Sequence, residues 1–347
     1  MEEFESSWQE FSQSGNFLEL TRQFEQSIPT NKNVVLDNSV SIKLIETGIL
    51  QIEPVDTAET SLLISSGIHG NETAPIEIVN QIAKDIVSGK LEVKARLMLI
   101  IGNPPSMNIS KRFSSQNLNR LFDGRYKDSQ SRDYETERAK VIEQAVAIFF
   151  GEDEHQSTSR YHFDLHTAIR PSQYEKFVVY PYLDGRPWDK NHIAFFGGSD
   201  ITTVLLGHQP AGTFSYYTSH QFNAHSATVE LGKVRPFGQN NMDNFSDIVK
   251  NLNRLIQGKP TKQVKFDNDI YKVFQVKQEI IKENEEYNLL LADDVKNFTA
   301  FKKGTILASD QQGSQFEVEN DGEAIVFPNN NVPVGQRMGV LLEEVQL

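Results

Sequence analysis

The 347-residue chain contains no cysteine. Disulfide bonds, thiolate nucleophiles and metal sites with sulfur ligands are therefore excluded. Any metal ion would have to be bound by histidine, aspartate or glutamate side chains. Such ligand sets are typical of catalytic zinc sites, whereas structural zinc sites depend largely on cysteine.

The sequence also lacks long apolar segments. No uninterrupted run of about 18 apolar residues occurs, so no membrane-spanning helix is predicted. The first residues, Met1 to Ser7, are acidic and polar, whereas a secretory signal would have a basic start followed by an apolar run. We therefore expect a cytoplasmic protein that does not enter a membrane.

Positive charge is scarce. The chain has 34 Lys and Arg residues against 47 Asp and Glu residues, which gives a formal net charge of −13. Nucleic acids and anionic membrane surfaces both require a basic face, so neither is an expected partner. A small anionic substrate would be repelled by the overall charge, and its site would need local Arg or Lys residues.

Several common catalytic motifs are missing. The sequence has no Gly-x-Ser-x-Gly nucleophile elbow, no Gly-x-x-x-x-Gly-Lys-Ser/Thr phosphate loop, no His-Glu-x-x-His zinc motif and no dinucleotide fingerprint. These absences argue against a serine hydrolase of that type, a P-loop nucleotidase, a protease with this helical zinc motif and a dinucleotide-dependent enzyme.

Apolar strands alternate with helices between residues 61 and 256. One or two helices are predicted within residues 4–27, followed by short strands within 34–52. The pattern then predicts strands at 61–68, 96–102, 161–166, 177–180, 201–206 and 226–231, and helices at 73–88, 133–150 and 242–256. Such alternation indicates an α/β domain with a mostly parallel or mixed sheet flanked by helices.

The pattern changes after about residue 260, where short alternating runs are separated by turn residues. This pattern of short strands and turns is typical of an all-β module. The segment 257–260 is a plausible boundary, and the length of the chain favours about two domains. We therefore predict a catalytic α/β domain at residues 1–258 and a smaller β-domain at 259–347.

Three short segments carry candidate chemistry, and each is predicted at the end of a strand. They are His69-Gly70-Asn71-Glu72, His166 and Glu230. Ligands bind at the carboxyl ends of strands in open α/β sheets, so we expect these side chains to converge. Each segment alone is weak evidence for a metal site, because a His-x-x-Glu match occurs by chance and a lone histidine is often a core residue. Together they could hold a catalytic zinc ion, with the second carboxylate moving protons.

A loop rich in cations follows the strand at 96–102. It contains Lys111, Arg112 and Arg120 and has little apolar periodicity. By itself it could be an ordinary solvated loop. In an acidic protein it is also a candidate anion-binding segment, because a guanidinium group can pair bidentately with a carboxylate. Further candidate cations are Arg170, Lys176, Lys233 and Arg235.

Five motifs, in this order, resemble the succinylglutamate desuccinylase/aspartoacylase family, which is related to zinc carboxypeptidases. They are Gly67-Ile68-His69-Gly70-Asn71-Glu72, Asn103-Pro104, Asn117-Leu118-Asn119-Arg120, Asp164-Leu165-His166-Thr167 and Val229-Glu230-Leu231-Gly232. The motifs cover about residues 60–240. The resemblance implies a zinc-carboxypeptidase-like mixed sheet flanked by helices, and the C-terminal segment fits the family's second domain in size and texture.

The resemblance also implies the metal site. One Zn²⁺ ion per chain would be bound by His69, Glu72 and His166, and Glu230 would be the proton-shuttling base. Asp164 is a separate hypothesis drawn from its position two residues before His166, where a carboxylate could orient the imidazole ring.

The remaining implied roles concern the substrate. Arg112 matches the residue that polarises the scissile carbonyl, and Asn119 with Arg120 matches the pair that binds a substrate carboxylate. The implied reaction is hydrolysis of N2-succinyl-L-glutamate to succinate and L-glutamate, the last step of arginine catabolism through succinylated intermediates. The alternatives are hydrolysis of another N-acyl amino acid, or a non-catalytic protein that binds a metal or an anion.

Overall fold

The protein is described by a computed structural model that covers residues 2–28, 32–151 and 159–347. Its helices are α1 (Glu2–Ser14), α2 (Phe17–Gln23), α3 (Thr73–Val87), α4 (Pro104–Asn108), α5 (Tyr134–Gly151), α6 (Lys190–Gly198), α7 (Phe214–Phe222) and α8 (Ser246–Ile256). Short 3₁₀ turns occur at Leu118–Arg120, Arg125–Asp128 and Met242–Phe245.

The first nine strands belong to the N-terminal three quarters of the chain. They are β1 (Lys32–Val35), β2 (Ser41–Glu46), β3 (Ile49–Glu53), β4 (Thr60–Ser66), β5 (Arg96–Ile101), β6 (Ser159–Ala168), β7 (Phe177–Tyr180), β8 (Thr203–Leu206) and β9 (His225–Lys233). The later strands are β10 (Lys272–Ile281), β11 (Asn288–Leu289), β12 (Thr299–Ala300), β13 (Ile306–Ser309), β14 (Gln315–Glu317), β15 (Ala324–Val326) and β16 (Arg337–Val345).

Thirteen of the described strands form one mixed sheet, in the order β1-β2-β3-β5-β4-β6-β9-β7-β8-β10-β16-β15-β12. In its centre, β4 pairs in parallel with β5 and β6, and β6 pairs in parallel with β9. The strand β7 then runs antiparallel to β9. The predicted α/β fold with a mixed sheet flanked by helices is confirmed.

The two faces of the sheet pack against different helices. Leu62 and Ile64 of β4 belong to one apolar cluster with residues of α1, α2, α3, α6 and α8. Leu63, between them, belongs to a second cluster with residues of α5 and α7. Successive side chains of a strand point to opposite faces, so this near-continuous apolar strand is covered on both sides.

Three helices were not predicted from the sequence: α4, which has only five residues, and the longer helices α6 and α7. Every residue from His192 to Gly198 in α6 is buried, as are the first six residues of α7. A helix buried on nearly all sides has no polar stripe, and its sequence therefore lacks the 3.6-residue alternation on which helix prediction depends.

The sheet continues into the C-terminal region. The strand β10 pairs in parallel with β8, with Val273 beside Val204, and β16 and β15 extend the sheet further. Phe274 and Phe298 share an apolar cluster with Phe177 of β7. A separate small sheet contains β11, β13 and β14. The boundary between residues 258 and 259 stays a prediction, and the main sheet runs across it.

Among the residues that the structure describes, no helix combines the length and the apolar composition needed to cross a lipid bilayer.

The continuous sheet predicts that the protein unfolds as one unit. Separating the C-terminal region would break the ladder between β8 and β10 and would expose Phe177 and Phe274 to water. Thermal unfolding followed by calorimetry and by far-ultraviolet circular dichroism should therefore give one shared transition. Two well-separated transitions would contradict the energetic coupling of the two regions.

Candidate metal centre

A tight turn after β4 places His69. Gly67 has a φ of 60°, a left-handed conformation that favours glycine. A Cβ atom on Gly70 would lie only 2.2 Å from the amide nitrogen of Met107, so the backbone approach there also requires glycine. The amide of Gly70 donates a hydrogen bond to the carbonyl oxygen of Arg112 at 3.0 Å. The turn that carries His69 is thus attached to the loop that carries Arg112.

His166 and Glu230 lie inside their strands, close to the ends. The expectation that they stand at strand ends was slightly wrong, because β6 continues to Ala168 and β9 to Lys233. The two strands are neighbours in parallel register, and His166 is the direct partner of Glu230. Side chains at paired positions project from the same face, so the register places the two groups side by side.

The carboxylate of Glu72 connects the candidate ligands. Its Oε1 lies 2.9 Å from Nδ1 of His69, and its Oε2 lies 2.9 Å from Nδ1 of His166. The amide of Thr167 donates to Oε2 at 3.0 Å, and Nη1 of Arg112 donates to Oε1 at 2.6 Å. Ligand atoms of His69, Glu72 and His166 all lie within 4.8 Å of one another, so this buried group could hold a metal ion.

The other ring nitrogens explain why both Nδ1 atoms point at Glu72. Nε2 of His166 lies 3.0 Å from Oδ2 of Asp164, and Nε2 of His69 lies 2.9 Å from Oδ1 of Asn117. Both of these oxygens are acceptors, so each Nε2 carries the donated hydrogen, and each Nδ1 is left to bind a metal ion. The contact expected between Asp164 and His166 is confirmed.

A buried polar chain supports Asp164. The hydroxyl of Ser65 donates to Oδ1 of Asp164 at 2.6 Å and lies 2.8 Å from Nε2 of His162. A hydroxyl has one hydrogen, so Nε2 of His162 must donate to Ser65. Its Nδ1 then accepts from the hydroxyl of Thr218 at 2.7 Å. Burial lowers the pKa of His162 to about 4, which keeps the ring neutral, as this arrangement requires.

Sequence reasoning did not identify Ser65, His162 or Thr218 as parts of this chain. His162, Asp164 and His166 alternate along β6, and that spacing of two is the signal that could have placed them on one face.

The electrostatics of the site favour a bound cation. Burial opposes ionisation of Glu72, but the charges and hydrogen bonds of His69 and His166 outweigh it and hold the pKa of Glu72 well below its ordinary value. Burial lowers the pKa of His69 to about 4. Burial also opposes protonation of His166, yet the carboxylates of Asp164 and Glu72 raise its pKa well above the ordinary value. A positive charge between these two carboxylates is therefore stabilised.

The donor set fits a divalent metal ion. It offers two imidazole nitrogens and one carboxylate, which is a common set for catalytic zinc and leaves a position for another ligand. A divalent ion would replace the proton that His166 otherwise holds between the carboxylates. Imidazole and carboxylate ligands also accept cobalt and nickel, so the geometry does not determine which metal binds.

Glu230 differs from the other carboxylates of the site. Its Oε2 is shielded from solvent and has no hydrogen-bond partner in the described part of the chain. Burial raises the pKa of Glu230 to about 7, and the charge of Glu72 also raises it, while those of His166 and Arg112 lower it. A carboxyl group that titrates near neutral pH can both accept and release a proton, which is what general acid–base catalysis needs.

Arg112 reaches the centre from the loop after α4. Its side chain is 31% exposed, so it lies at the open side of the site. The loop is held by Glu135 of α5, which is fully buried and accepts hydrogen bonds from the amides of Ser114 at 2.6 Å and Ser115 at 3.3 Å. Glu135 was missed in the sequence, where it is one of several acidic residues at the start of a helix.

Asn119 and Arg120 lie next to the centre through Asn117, whose Oδ1 also accepts from the amide of Asn119 at 3.0 Å. The side-chain oxygen of Asn119 accepts from the amide of Phe214 at 2.9 Å, which leaves its NH₂ group as a donor for a ligand. Nη1 of Arg120 donates to the carbonyl oxygen of Asn119 at 2.7 Å. The structure thus connects the segment of Asn119 and Arg120 to His69 through Asn117, and the role of the pair in substrate binding stays a prediction.

Two of the other candidate cations have partners elsewhere. Nη1 of Arg170 donates to the carbonyl oxygen of Asp293 at 2.5 Å, and Lys176 pairs with Asp200 at 2.7 Å. Lys233 is exposed at the end of β9, and the carbonyl oxygen of Arg235 accepts from the hydroxyl of Thr73 at 2.6 Å.

Comparisons with known proteins agree on one group. Residues 58–256 match the family model described as the succinylglutamate desuccinylase/aspartoacylase catalytic domain, and residues 269–345 match the AstE/AspA barrel-sandwich hybrid domain. A succinylglutamate desuccinylase from Pseudoalteromonas atlantica is 46% identical over 328 residues, which cover 94% of this chain and 93% of that protein.

Solved structures give the same result. The succinylglutamate desuccinylase of Vibrio parahaemolyticus superposes with a TM-score of 0.86 at 33% identity, over 95% of each chain. The enzyme of this name from Chromobacterium violaceum gives 0.85 at 34% identity and covers 96% of this chain and 99% of its own.

The raised pKa of Glu230 gives a spectroscopic prediction. In the metal-free protein its carboxyl group should be protonated below pH 7 and ionised above it, because its pKa is about 7. Infrared difference spectra recorded between pH 6 and pH 8 should therefore contain a protonated-carboxyl band that disappears as the pH rises. Glu230→Gln should remove that band, and a wild-type protein whose spectrum does not change over this range would contradict the shift.

The contact between Asp164 and His166 gives a second prediction. Asp164→Ala should weaken metal binding by about 10- to 100-fold, the usual cost of losing a carboxylate behind a ligand imidazole. Competition with a chromophoric chelator measures this affinity. Asp56→Ala is the control, because Asp56 is 75% exposed and its described ion pair is with Lys94, which is not part of the metal centre. An unchanged metal affinity in a folded Asp164→Ala protein would contradict the proposal that Asp164 orients the His166 ring.

Proposed function

The chain belongs to the succinylglutamate desuccinylase/aspartoacylase family, and we propose that it hydrolyses N2-succinyl-L-glutamate to succinate and L-glutamate. The observation that carries the proposal is the buried group of His69, Glu72 and His166, with Glu230 beside it, in a chain whose relatives bear this enzyme's name. The reaction would complete arginine catabolism through succinylated intermediates, and we place it in the bacterial cytoplasm.

We propose that the resident metal is one Zn²⁺ ion, held by Nδ1 of His69, Nδ1 of His166 and the carboxylate of Glu72. A zinc ion there would supply Lewis acidity and favour attack by water on the amide carbonyl. Asp164 and Asn117 would keep the two imidazole rings oriented with their Nδ1 atoms toward the ion.

Glu230 would move the proton. It accepts a proton from water while the water oxygen attacks the carbonyl carbon of the succinyl group. It then donates that proton to the amide nitrogen as the carbon–nitrogen bond breaks, so that glutamate leaves as an amine. Burial of Glu230, which raises the pKa of its carboxyl group to about 7 in the metal-free protein, favours both steps at neutral pH. The free Oε2 of Glu230 supports this role, because no protein group in the described residues competes for it.

Arg112 would stabilise the negative charge that develops on the carbonyl oxygen. Loss of one such donor typically lowers the rate by about 10²- to 10³-fold. Asn119 and Arg120 would bind a carboxylate of the substrate, the amide through its NH₂ group and the guanidinium through its fork of donors. Glu135 would hold the loop of Arg112 in place, since it accepts two of that loop's amides.

The proposal is tested by separating metal binding from turnover. His69→Ala should lose the metal and the release of glutamate together, because it removes a ligand. Glu230→Gln should keep the metal and lose about 10²- to 10⁴-fold in kcat, because an amide cannot carry the proton. Metal content per chain and amine release from N2-succinyl-L-glutamate are the two measurements, with N-acetyl-L-glutamate as the comparison substrate.

Three outcomes would overturn the assignment. Full turnover after complete chelation would exclude the metal. Retention of most of the kcat in Glu230→Gln would exclude Glu230 as the base. Faster hydrolysis of N-acetyl-L-glutamate than of the succinyl compound would replace the substrate.

A further inference from the structure

Arg120 carries a charge with no anionic partner among residues 2–28, 32–151 and 159–347. The one described hydrogen bond of its guanidinium group goes to the neighbouring carbonyl oxygen of Asn119. The side chain is exposed, yet loss of solvation, together with the charges of Arg337, Arg112 and Arg125, lowers the pKa of Arg120 to about 10. A side chain that is both accessible and poorly solvated lies in a recess. This recess gathers positive charge in a protein whose net charge is −13.

The loop of residues 207–213 joins this recess to the C-terminal region. At its end, Gly212 packs so closely on Arg120 that a Cβ atom would lie 2.3 Å from the carbonyl oxygen of Arg120. The carbonyl oxygen of Gly212 accepts from the amide of Phe122 at 3.2 Å. Earlier in the loop, Nε2 of Gln209 donates to Oε1 of Glu279 in β10 at 3.3 Å. One short loop therefore contacts both Arg120 and the C-terminal strands.

Arg337 stands at this junction. It is the first residue of β16, and its Nη1 donates to the same Oε1 of Glu279 at 3.0 Å. The side chain is 37% exposed, so part of the guanidinium group remains available to a ligand. One carboxylate oxygen satisfies only part of the five-donor guanidinium fork.

The substrate of the proposed reaction has more charge than Asn119 and Arg120 can bind. N2-succinyl-L-glutamate carries three carboxylates, one on the succinyl group and two on glutamate. One guanidinium fork binds one carboxylate bidentately. Removal of the remaining carboxylates from water requires further donors close to Arg120.

We propose that Arg337 binds one carboxylate of the substrate, so that the C-terminal region supplies a specificity-determining residue to the active site. The inference rests on the proposed function. It gives the C-terminal region a task that the sequence did not reveal: Arg337 is carried to the recess by β16 and held there through Glu279 and the loop of residues 207–213.

The test compares Arg337→Ala with Arg125→Ala. Both substitutions remove one positive charge near Arg120, but the guanidinium of Arg125 is exposed and donates to the carbonyl oxygen of Pro210 at 3.0 Å. Arg337→Ala should raise KM about 10- to 100-fold, as expected for loss of a charge-assisted hydrogen bond, with little change in kcat. Arg125→Ala should change KM by less than about threefold, the size of a screened surface charge effect.

Three substrate analogues identify the carboxylate. N-acetyl-L-glutamate lacks the succinyl carboxylate, N2-succinyl-L-glutamine lacks the side-chain carboxylate, and N2-succinyl-L-isoglutamine lacks the α-carboxylate. The effect of Arg337→Ala should nearly vanish for one of the three and persist for the other two. Arg337→Lys keeps the charge without the fork and should give an intermediate KM.

A purely structural role for Arg337 gives a different result. The rise in KM caused by Arg337→Ala would then be equal for all four compounds, or no larger than the rise caused by Arg125→Ala. Either finding would overturn the proposal. If the wild-type protein hydrolyses none of the four compounds, the proposed function fails instead. Calorimetric binding constants of the same compounds then test Arg337 without turnover, and equal constants for wild type and Arg337→Ala would refute it.

Discussion

The carboxylate of Glu72 is the interaction on which the site depends. It accepts hydrogen bonds from the Thr167 amide and from Arg112, and it lies against Nδ1 of both His69 and His166. Buried at 2% exposure, it would be costly to ionise without these partners. The turn after β4, the strand β6 and the loop of Arg112 are thus joined by one negative charge, and that charge makes the cluster suitable for a cation.

A second carboxylate, that of Asp164, holds the opposite edge of the His166 ring. Asp164 fixes His166 through Nε2, and Ser65, His162 and Thr218 in turn fix Asp164. Each hydrogen bond in this network has a defined donor and acceptor, because the carboxylate of Asp164 at its end can only accept. Such a fully satisfied network holds the imidazole ring with little freedom, so its Nδ1 atom is already oriented for a metal ion.

The local charge near Arg120 is opposite in sign to the net charge of the molecule. The chain as a whole is strongly acidic, yet Arg112 contacts Glu72 of the metal centre, and the charges of Arg112 and of Arg337 in β16 both lower the pKa of Arg120. A local excess of cations in an acidic protein favours small anions that enter the recess over extended polyanions, which would meet the acidic surface. This separation fits a metabolite with several carboxylates, and Arg337 contributes to it from β16, which continues the main sheet through β10.

The sequence alone indicated the class of fold, through alternation along strands, and the motifs that carry the family resemblance. It also pointed to His69, Glu72 and His166, a buried group that could hold a metal ion. It could not reveal α6 and α7, whose buried surfaces lack a polar stripe. It also missed Ser65, His162, Glu135 and Arg337, which are ordinary residues far apart in the chain. Only the tertiary structure placed them, because strand register, buried hydrogen bonds and the continuation of the sheet through β10 and β16 decide which distant side chains meet.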